Sequence, residues 1–292
     1  MNEVAGTIPA LLTPFADGGG EVDLGLLDEH VGWLHERGVR CVSPLGTTGE
    51  GPSLALAERK RVIARLARHP LGVSLLPGTG CSALPETIEL SRFAHDHGAA
   101  GILLAPPWYY TASREGITAY FTRVFDALPC EARVFLYHIP AVTGVPIEDA
   151  TLEALAERFG SMLAGAKDSG GEFEHTAGWL RRFPKLTILS GSDDTASRVH
   201  AARAPGTLTM LANVLPDELE QIRAGSEPEP RQRLLSRVRA LVETLPRHAA
   251  LKHLLHLVSG LPRSPVRPPL DELDAEQRAQ LERSYAQLRD GD

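Results

Sequence analysis

One lysine in this sequence stands where a nucleophile could be formed. Lys167 directly follows a short apolar segment, residues 162–166, and is followed by Asp168 and Ser169. Apolar surroundings disfavour an ammonium group, which leaves a neutral amine able to attack a ketone and form a Schiff base. An ion pair between Lys167 and Asp168 fits the same spacing. Position alone leaves both interpretations open.

The other lysines have simpler interpretations. Only four of the 30 basic residues are lysines, so each can be weighed in turn. Lys60 and Lys252 fall on the charged faces of predicted helices, and Lys185 precedes a predicted strand. We therefore expect Lys167 to be the reactive lysine.

Hydroxyl groups follow other apolar segments of the chain. Gly46-Thr47-Thr48-Gly49 offers two hydroxyls and several backbone N–H groups in a glycine-flanked turn, which suits a small carboxylate. Tyr110 and Tyr137 could transfer protons through their phenolic groups. Each feature taken singly is equally typical of an ordinary turn or of aromatic packing. Their common position after apolar segments is what favours a site.

Histidines and glycines raise the question of a metal or nucleotide. His95 with His97, and His253 with His256, have ligand-like spacing, but neither pair ends a predicted strand and neither has a third ligand at a suitable distance. The run of glycines at residues 18–20 lies in a loop and is not part of a GxGxxG turn after a strand. We therefore predict neither a metal nor another cofactor.

Eight short apolar runs must position these groups. They alternate with longer segments of helical periodicity up to about residue 225, which predicts an α/β protein with a parallel sheet closed into a (β/α)₈ TIM barrel. In such a barrel the reacting groups lie at the carboxyl ends of the strands, where the residues named above fall. The runs are residues 7–12, 39–44, 71–76, 101–105, 133–137, 162–166, 186–189 and 207–211.

The pattern changes after the barrel. Residues 225–230 are rich in proline and glutamate and are interpreted as a linker, followed by helical patterns without intervening strands at 231–245, 247–259 and 274–288. We predict a barrel over residues 1–225 and a C-terminal helical extension over 226–292 that packs on it.

Composition excludes several classes of protein. The net charge of −7 argues against a nucleic-acid-binding surface, and no apolar run is long enough to span a membrane. Three widely spaced cysteines and the lack of a secretory signal at the N-terminus favour a reducing compartment. A cytoplasmic enzyme acting on a small molecule is the expectation.

Four motifs occur in a fixed order at the predicted strand ends: GTTGE, YY, Y-x-I-P-x-x-T-G and K-D-S-G. In this order, between residues 7 and 213, the chain resembles the dihydrodipicolinate synthase / N-acetylneuraminate lyase family, and the ending Arg267-Pro-Pro-Leu270 is also similar. The resemblance implies a lyase that binds pyruvate, or a 2-oxo acid yielding pyruvate, as an iminium on the strand-six lysine. Here that lysine is Lys167.

The resemblance also implies roles for other residues. Tyr137 matches the tyrosine that relays protons, and Thr47 the threonine bonded to it. Tyr110 matches a tyrosine that reaches into the neighbouring subunit's site, which implies a homo-oligomer, either a dimer or a tetramer. The positions expected to bind substrate are Gly46, Thr48, His138, Val142, Gly191 and Leu208.

Departures from the family pattern concern the substrate. Val142 stands where dihydrodipicolinate synthases have an arginine for the aldehyde substrate's carboxylate, and His138 replaces their asparagine. Gly51-Pro52 replaces the usual serine-alanine, and the residues that bind the allosteric lysine are not present. The segment 167–171 resembles instead 4-hydroxy-2-oxoglutarate and 2-keto-3-deoxy-sugar-acid aldolases. We therefore expect reversible aldol cleavage of a 4-hydroxy-2-oxo acid.

Two alternatives remain. Dihydrodipicolinate synthase, which condenses pyruvate with aspartate semialdehyde, would use the same chemistry. A barrel that has lost activity and acts as a binding protein belongs to another class. The joint presence of Lys167, Tyr137, Tyr110 and the Thr47-Thr48 pair argues against loss of activity.

Overall fold

The inner ring of the fold is built of short parallel strands. The computed structural model describes residues 3–290, and within that range eight strands alternate with helices. The strands are β1 Gly6–Pro9, β2 Cys41–Val42, β3 Ser74–Leu75, β4 Ile102–Leu104, β5 Val134–His138, β6 Leu163–Asp168, β7 Thr187–Ser190 and β8 Gly206–Thr209. Each lies within or beside one of the apolar runs found in the sequence.

The strands close into a ring. Six of them form one sheet in the order β1-β8-β7-β6-β5-β4, while β2 and β3 form a second sheet. Parallel bridges between Ala10 and Ser43 and between Gly78 and Leu103 join the two sheets at both edges. The predicted (β/α)₈ barrel is therefore confirmed.

The centre of the barrel is filled by one large ring. Phe135 is fully buried. A Cβ at Gly101 would lie 2.7 Å from its ring and one at Gly165 would lie 2.8 Å from it, so only glycine leaves room at these positions. Packing against Phe135 thus explains the glycine two residues ahead of Lys167.

Helices cover the outside of the ring. Asp23 caps the first of them by accepting a hydrogen bond from the Leu26 N–H, and Ser113 caps the fourth in the same way through Gly116. Their apolar faces are buried against the strands. The helices are α1 Leu24–Glu36, α2 Leu56–Ala67, α3 Leu84–Asp96, α4 Arg114–Asp126, the short α5 Pro140–Thr143, α6 Asp149–Phe159, α7 Phe173–Arg182, α8 Ala196–Ala201 and α9 Pro216–Arg223.

Three further helices form the C-terminal appendage: α10 Pro228–Glu243, α11 Arg247–Ser259 and α12 Ala275–Asp290. The expected linker is partly wrong, because α10 already begins at Pro228. Proline lacks the N–H that would be unsatisfied in a first helical turn, so it starts this helix rather than preventing it. Within residues 3–290, no helix combines the length and the apolar character needed to cross a membrane.

The appendage shares its apolar core with the barrel. One cluster of buried side chains contains Leu12 and Leu219 from the barrel part together with Leu235 and Leu254 from the appendage. The division of the chain at residue 225 stays a prediction. Its outer limits, residues 1, 2, 291 and 292, lie outside the described range.

Lys252 does not lie on a charged, exposed face, and the sequence-based expectation for it is wrong. Its side chain is 3% exposed, and its Nζ lies 2.6 Å from Oε1 of Glu50. Nζ also donates a hydrogen bond to the Pro265 carbonyl at 2.6 Å. The reason is that α11 is buried along a continuous stretch, Ala249 to Leu254, so that the face carrying Lys252 turns towards the barrel.

Candidate active site

Lys167 and Tyr137 lie side by side on neighbouring strands. The register of β5 and β6 pairs these two residues directly. The Nζ atom of Lys167 lies 4.2 Å from the centroid of the Tyr137 ring, and both side chains are buried. An amine and a phenol are therefore held together at the carboxyl end of the barrel, in surroundings that exclude most water.

Thr47 completes a polar chain with Tyr137. Its Oγ1 lies 3.5 Å from the Tyr137 hydroxyl, at the long end of the hydrogen-bonding range. Burial alone would raise the pKa of Tyr137, but the positive charge of Lys167 and polar contacts with Thr47 and Ser169 outweigh burial and lower that pKa. The phenol is accordingly prepared to release and accept a proton.

A cavity of about 290 Å³ surrounds this group. It brings together most of the residues expected from the sequence. Those that line it are Thr47, Thr48, Tyr137, Val142, Lys167, Gly191 and Leu208.

A second cavity, of about 280 Å³, lies against the same tyrosine and shares Thr47, Tyr137 and Val142 with the first. Gly46 lines this second cavity rather than the first. Arg59 also borders it, but its guanidinium donates to the carbonyls of Gly78 and Gly80 and to the Cys81 sulfur. Arg59 thus mainly secures the cavity wall.

His138 does not line either cavity. Neighbouring residues of a strand point to opposite faces, so Tyr137 turns inwards and His138 outwards. Its Nδ1 accepts a hydrogen bond from the Ile147 N–H at 3.1 Å, and its ring stacks on His175 with 4.9 Å between centroids. The structure therefore does not support contact between His138 and a ligand in either cavity.

Asp168 follows the same alternation and faces away from the amine of Lys167. Its carboxylate accepts hydrogen bonds from His175 Nδ1 at 2.9 Å, from Thr176 Oγ1 at 2.6 Å and from the Gly170 N–H at 2.9 Å. Burial would raise the pKa of Asp168, but these hydrogen bonds outweigh it and lower that pKa. The alternative that Asp168 serves as the partner of Lys167 is therefore not supported.

His138, Asp168 and His175 form a group of potential metal ligands that the sequence did not suggest, with ligand atoms within 4.8 Å of one another. Their hydrogen bonds oppose this use. Nδ1 of a neutral His138 is an acceptor, so its Nε2 carries the proton and is not free to coordinate, and both Asp168 oxygens already accept hydrogen bonds. The donor set fits a hydrogen-bonded support for the end of β6 rather than a metal site.

Polar residues that were not among the expected site residues also line the first cavity: Ser169, Asp193, Thr209, Arg239, Glu243 and Arg247. Burial raises the pKa of Asp193 to about 6, against opposing effects from Thr209 and Arg239. Asp193 follows β7, so the strand-end rule could have identified it. The two arginines come from the appendage, and no local signal in the sequence points to them.

Tyr110 lies outside both cavities and is 79% exposed. The neighbouring Tyr109 is 87% exposed and meets it edge-to-face. Arg114, four residues further along the chain, is directed at Glu115 and Glu148 and lines neither cavity, so it does not supply the arginine that Val142 replaces.

Residues 3–288, almost the whole chain, match the Dihydrodipicolinate synthetase family. The chain belongs to this family. Among curated proteins it is 44% identical over 217 residues to an uncharacterized DapA-like lyase of Chloroflexus aurantiacus, covering 74% of this chain and 73% of the relative. It is 35% identical over 217 residues to the 4-hydroxy-tetrahydrodipicolinate synthase of Methanopyrus kandleri, covering 74% and 71%.

Two solved structures match nearly the whole chain, including both the barrel and the appendage. The KD(P)GA of T. tenax superimposes with a TM-score of 0.90 at 27% identity, covering 98% of this chain and 99% of that one. YagE of E. coli K12, solved in complex with pyruvate, has a TM-score of 0.90 at 29% identity, with the same coverage. The predicted family and fold are confirmed, and the chain is an aldolase or lyase of this family.

Proposed function

We propose that this member of the family is a class I aldolase that cleaves a 4-hydroxy-2-oxo acid to pyruvate and an aldehyde through a Schiff base at Lys167. The observation that carries the proposal is the contact between the Lys167 amine and the Tyr137 ring, 4.2 Å from its centroid, inside a buried cavity. A nucleophilic amine beside an acid–base group is the combination that Schiff-base cleavage requires.

In the proposed reaction the nitrogen lone pair of Lys167 Nζ attacks C2 of the oxo acid, and loss of water gives an iminium. Tyr137 removes the proton from the C4 hydroxyl, and the C3–C4 bond breaks. The electron pair moves into the iminium to give an enamine, while the aldehyde departs. Protonation of C3 and hydrolysis then release pyruvate and the free amine.

Other groups bind and orient the substrate. Thr48 and the backbone N–H groups of the Thr47–Thr48 turn, which lines the cavity around Lys167, offer hydrogen bonds for the substrate carboxylate, since glycine-flanked turns present several N–H groups together. Gly191 lies against the lysine side chain, because a Cβ added there would meet Cε of Lys167 at 2.9 Å. Its small size leaves Lys167 room to carry an adduct.

Substrate choice depends on Val142, which borders both cavities and has no donor for a carboxylate. Asp193, Arg239 and Arg247 also line the first cavity and can bind hydroxyl groups, and Arg239 is already paired with Asp194 and Glu243. These features favour an aldehyde product that carries hydroxyl groups over aspartate semialdehyde. Because the relatives include a 4-hydroxy-tetrahydrodipicolinate synthase, condensation of pyruvate with aspartate semialdehyde is the second candidate function.

Chemical trapping tests the Schiff base. Treatment with pyruvate and borohydride should attach a reduced adduct to Lys167, and Lys167→Arg should remove it. Peptide mapping by mass spectrometry distinguishes this lysine from Lys60, Lys185 and Lys252. An adduct on one of those, or none, would refute the mechanism and favour a binding protein.

A comparison of substrates tests which aldehyde is combined with pyruvate in the substrate. Loss of a charged hydrogen bond costs about 1.5–3 kcal/mol, or roughly 10- to 150-fold in selectivity. We therefore expect kcat/KM to be higher for at least one member of a panel of 4-hydroxy-2-oxo acids than for pyruvate with aspartate semialdehyde. Val142→Arg should shift the ratio towards the semialdehyde. A native preference for the semialdehyde would identify a dihydrodipicolinate synthase instead.

A further inference from the structure

The turn that carries Thr47 and Thr48 has an unfavourable backbone conformation at both ends. Leu45 has φ 65° and Glu50 has φ 54°, in the left-handed region that side chains other than glycine adopt at a cost. Gly49 is also tightly enclosed, since a Cβ there would lie 2.5 Å from the Leu11 carbonyl oxygen. Such a conformation persists only where the surrounding structure holds it.

One face of α11 contacts this turn at two points, Thr47 and Glu50. His248 and Lys252 are separated by one helical turn, so their side chains lie on the same face. Nε2 of His248 lies 3.0 Å from the Thr47 carbonyl oxygen and, because that oxygen is an acceptor, must donate to it. Lys252 meets the Glu50 carboxylate at the second point, 2.6 Å away.

Two contacts hold the Glu50 carboxylate, one at each of its oxygens. Its side chain is fully buried, one oxygen faces Lys252 as an ion pair, and the other accepts a hydrogen bond from the Arg267 N–H at 3.0 Å. Such a buried pair adds little net stability, but it permits only a narrow range of arrangements. It therefore sets the distance between α11 and the turn.

We propose that His248 is a positioning residue for Thr47, so that the C-terminal appendage forms part of the active site. This inference rests on the proposed function and on the role that the family resemblance implies for Thr47, which is to hold the proton-relaying Tyr137 through its hydroxyl. The contact between Thr47 and Tyr137, at 3.5 Å, is already at the limit of a hydrogen bond. A small shift of the turn, which His248 prevents by holding the Thr47 carbonyl, breaks that contact.

Three substitutions separate positioning from general stability. His248→Leu removes the donor, whereas His248→Gln retains an N–H at similar reach. His256→Leu is the matched control, because His256 donates from the same helix to the Leu261 carbonyl at 2.7 Å, away from the turn. We expect His248→Leu to lower kcat for pyruvate release by on the order of 10-fold. His248→Gln should recover most of this loss, and the control should stay near the native value.

A double-mutant cycle with Thr47→Val identifies the route of the effect. If His248 acts through Thr47, His248→Leu should slow Thr47→Val no further, while the yield of borohydride-trapped pyruvate stays unchanged. Additive losses of kcat, or equal losses from His248→Leu and His256→Leu, would overturn the inference. Native kcat in His248→Leu would do so as well. Native kcat in Thr47→Val would instead contradict the proposed role of Thr47.

Discussion

Two neighbouring pairs of residues show how the position of a side chain is decided at the end of a strand. Tyr137 and His138 end β5, while Lys167 and Asp168 end β6, and in the structure the first of each pair faces the cavity and the second faces the helices. The strand-end rule points to all four positions but does not state which way each side chain faces. Side chains alternate along a strand, so the two neighbours must face opposite sides, and packing decides which of them faces the cavity.

At the same scale we expect Tyr137→Phe to slow pyruvate release by roughly 10²–10⁴-fold, because the substitution removes the proton-transfer group and leaves the amine. Steady-state kcat measures the loss, and borohydride trapping with pyruvate should still label Lys167. Tyr120→Phe is a suitable control, since the Tyr120 hydroxyl bonds Thr87 and does not line the cavity around Lys167. Near-native turnover of Tyr137→Phe would exclude Tyr137 as the acid–base group.

Among the elements, the short strands β2 and β3 differ most from the apolar runs that predicted them. Each run spans six residues, but only Cys41–Val42 and Ser74–Leu75 form regular strands. Proline supplies no N–H to a ladder, so Pro44 and Pro77 interrupt the regular pairing at the carboxyl ends. Separate backbone bonds, such as Gly78 N–H to the Pro44 carbonyl, continue the ring beyond them.

The helices of the appendage were predicted to within a few residues, as in α11 and α12. The role of α11 was not predicted. Lys252 was expected on a charged face and His248 was not singled out, because helical periodicity describes one face and cannot state what covers the other. The contact between α11 and the Thr47–Thr48 turn joins residues that are 201 positions apart in the chain.

At the scale of the whole molecule, the exposed side chains of Tyr109 and Tyr110 bear on the homo-oligomer that the family resemblance implies. The Tyr109 backbone has φ 97°, a conformation that is uncommon for a bulky residue and that marks a constrained segment. A large aromatic side chain that is 79% exposed in one protomer is typical of a protein interface. We propose that Tyr110 is covered by a second subunit and reaches its site.

Complementation between subunits tests this arrangement. Lys167→Ala lacks the nucleophile, and Tyr110→Phe lacks the proposed hydroxyl, so each variant alone should be slow. After the two are mixed and allowed to exchange subunits, a hybrid contains one site with an intact Lys167 and an intact Tyr110, and turnover should partly recover. Hybrids seen by native mass spectrometry without any recovery would show that Tyr110 does not act across the interface.

The sequence by itself predicted the barrel from local periodicity, the family from the order of its motifs, and Lys167, Tyr137 and Thr47 as candidate site residues from the strand-end rule together with that family resemblance. Tertiary structure alone decided which side of a strand His138 faces, where Lys252 is buried, and that Arg239, Arg247 and His248 from the appendage reach the barrel mouth. These placements follow from packing between segments far apart in the chain. No local pattern records such packing, since burial is a property of what covers a residue and not of the residue itself.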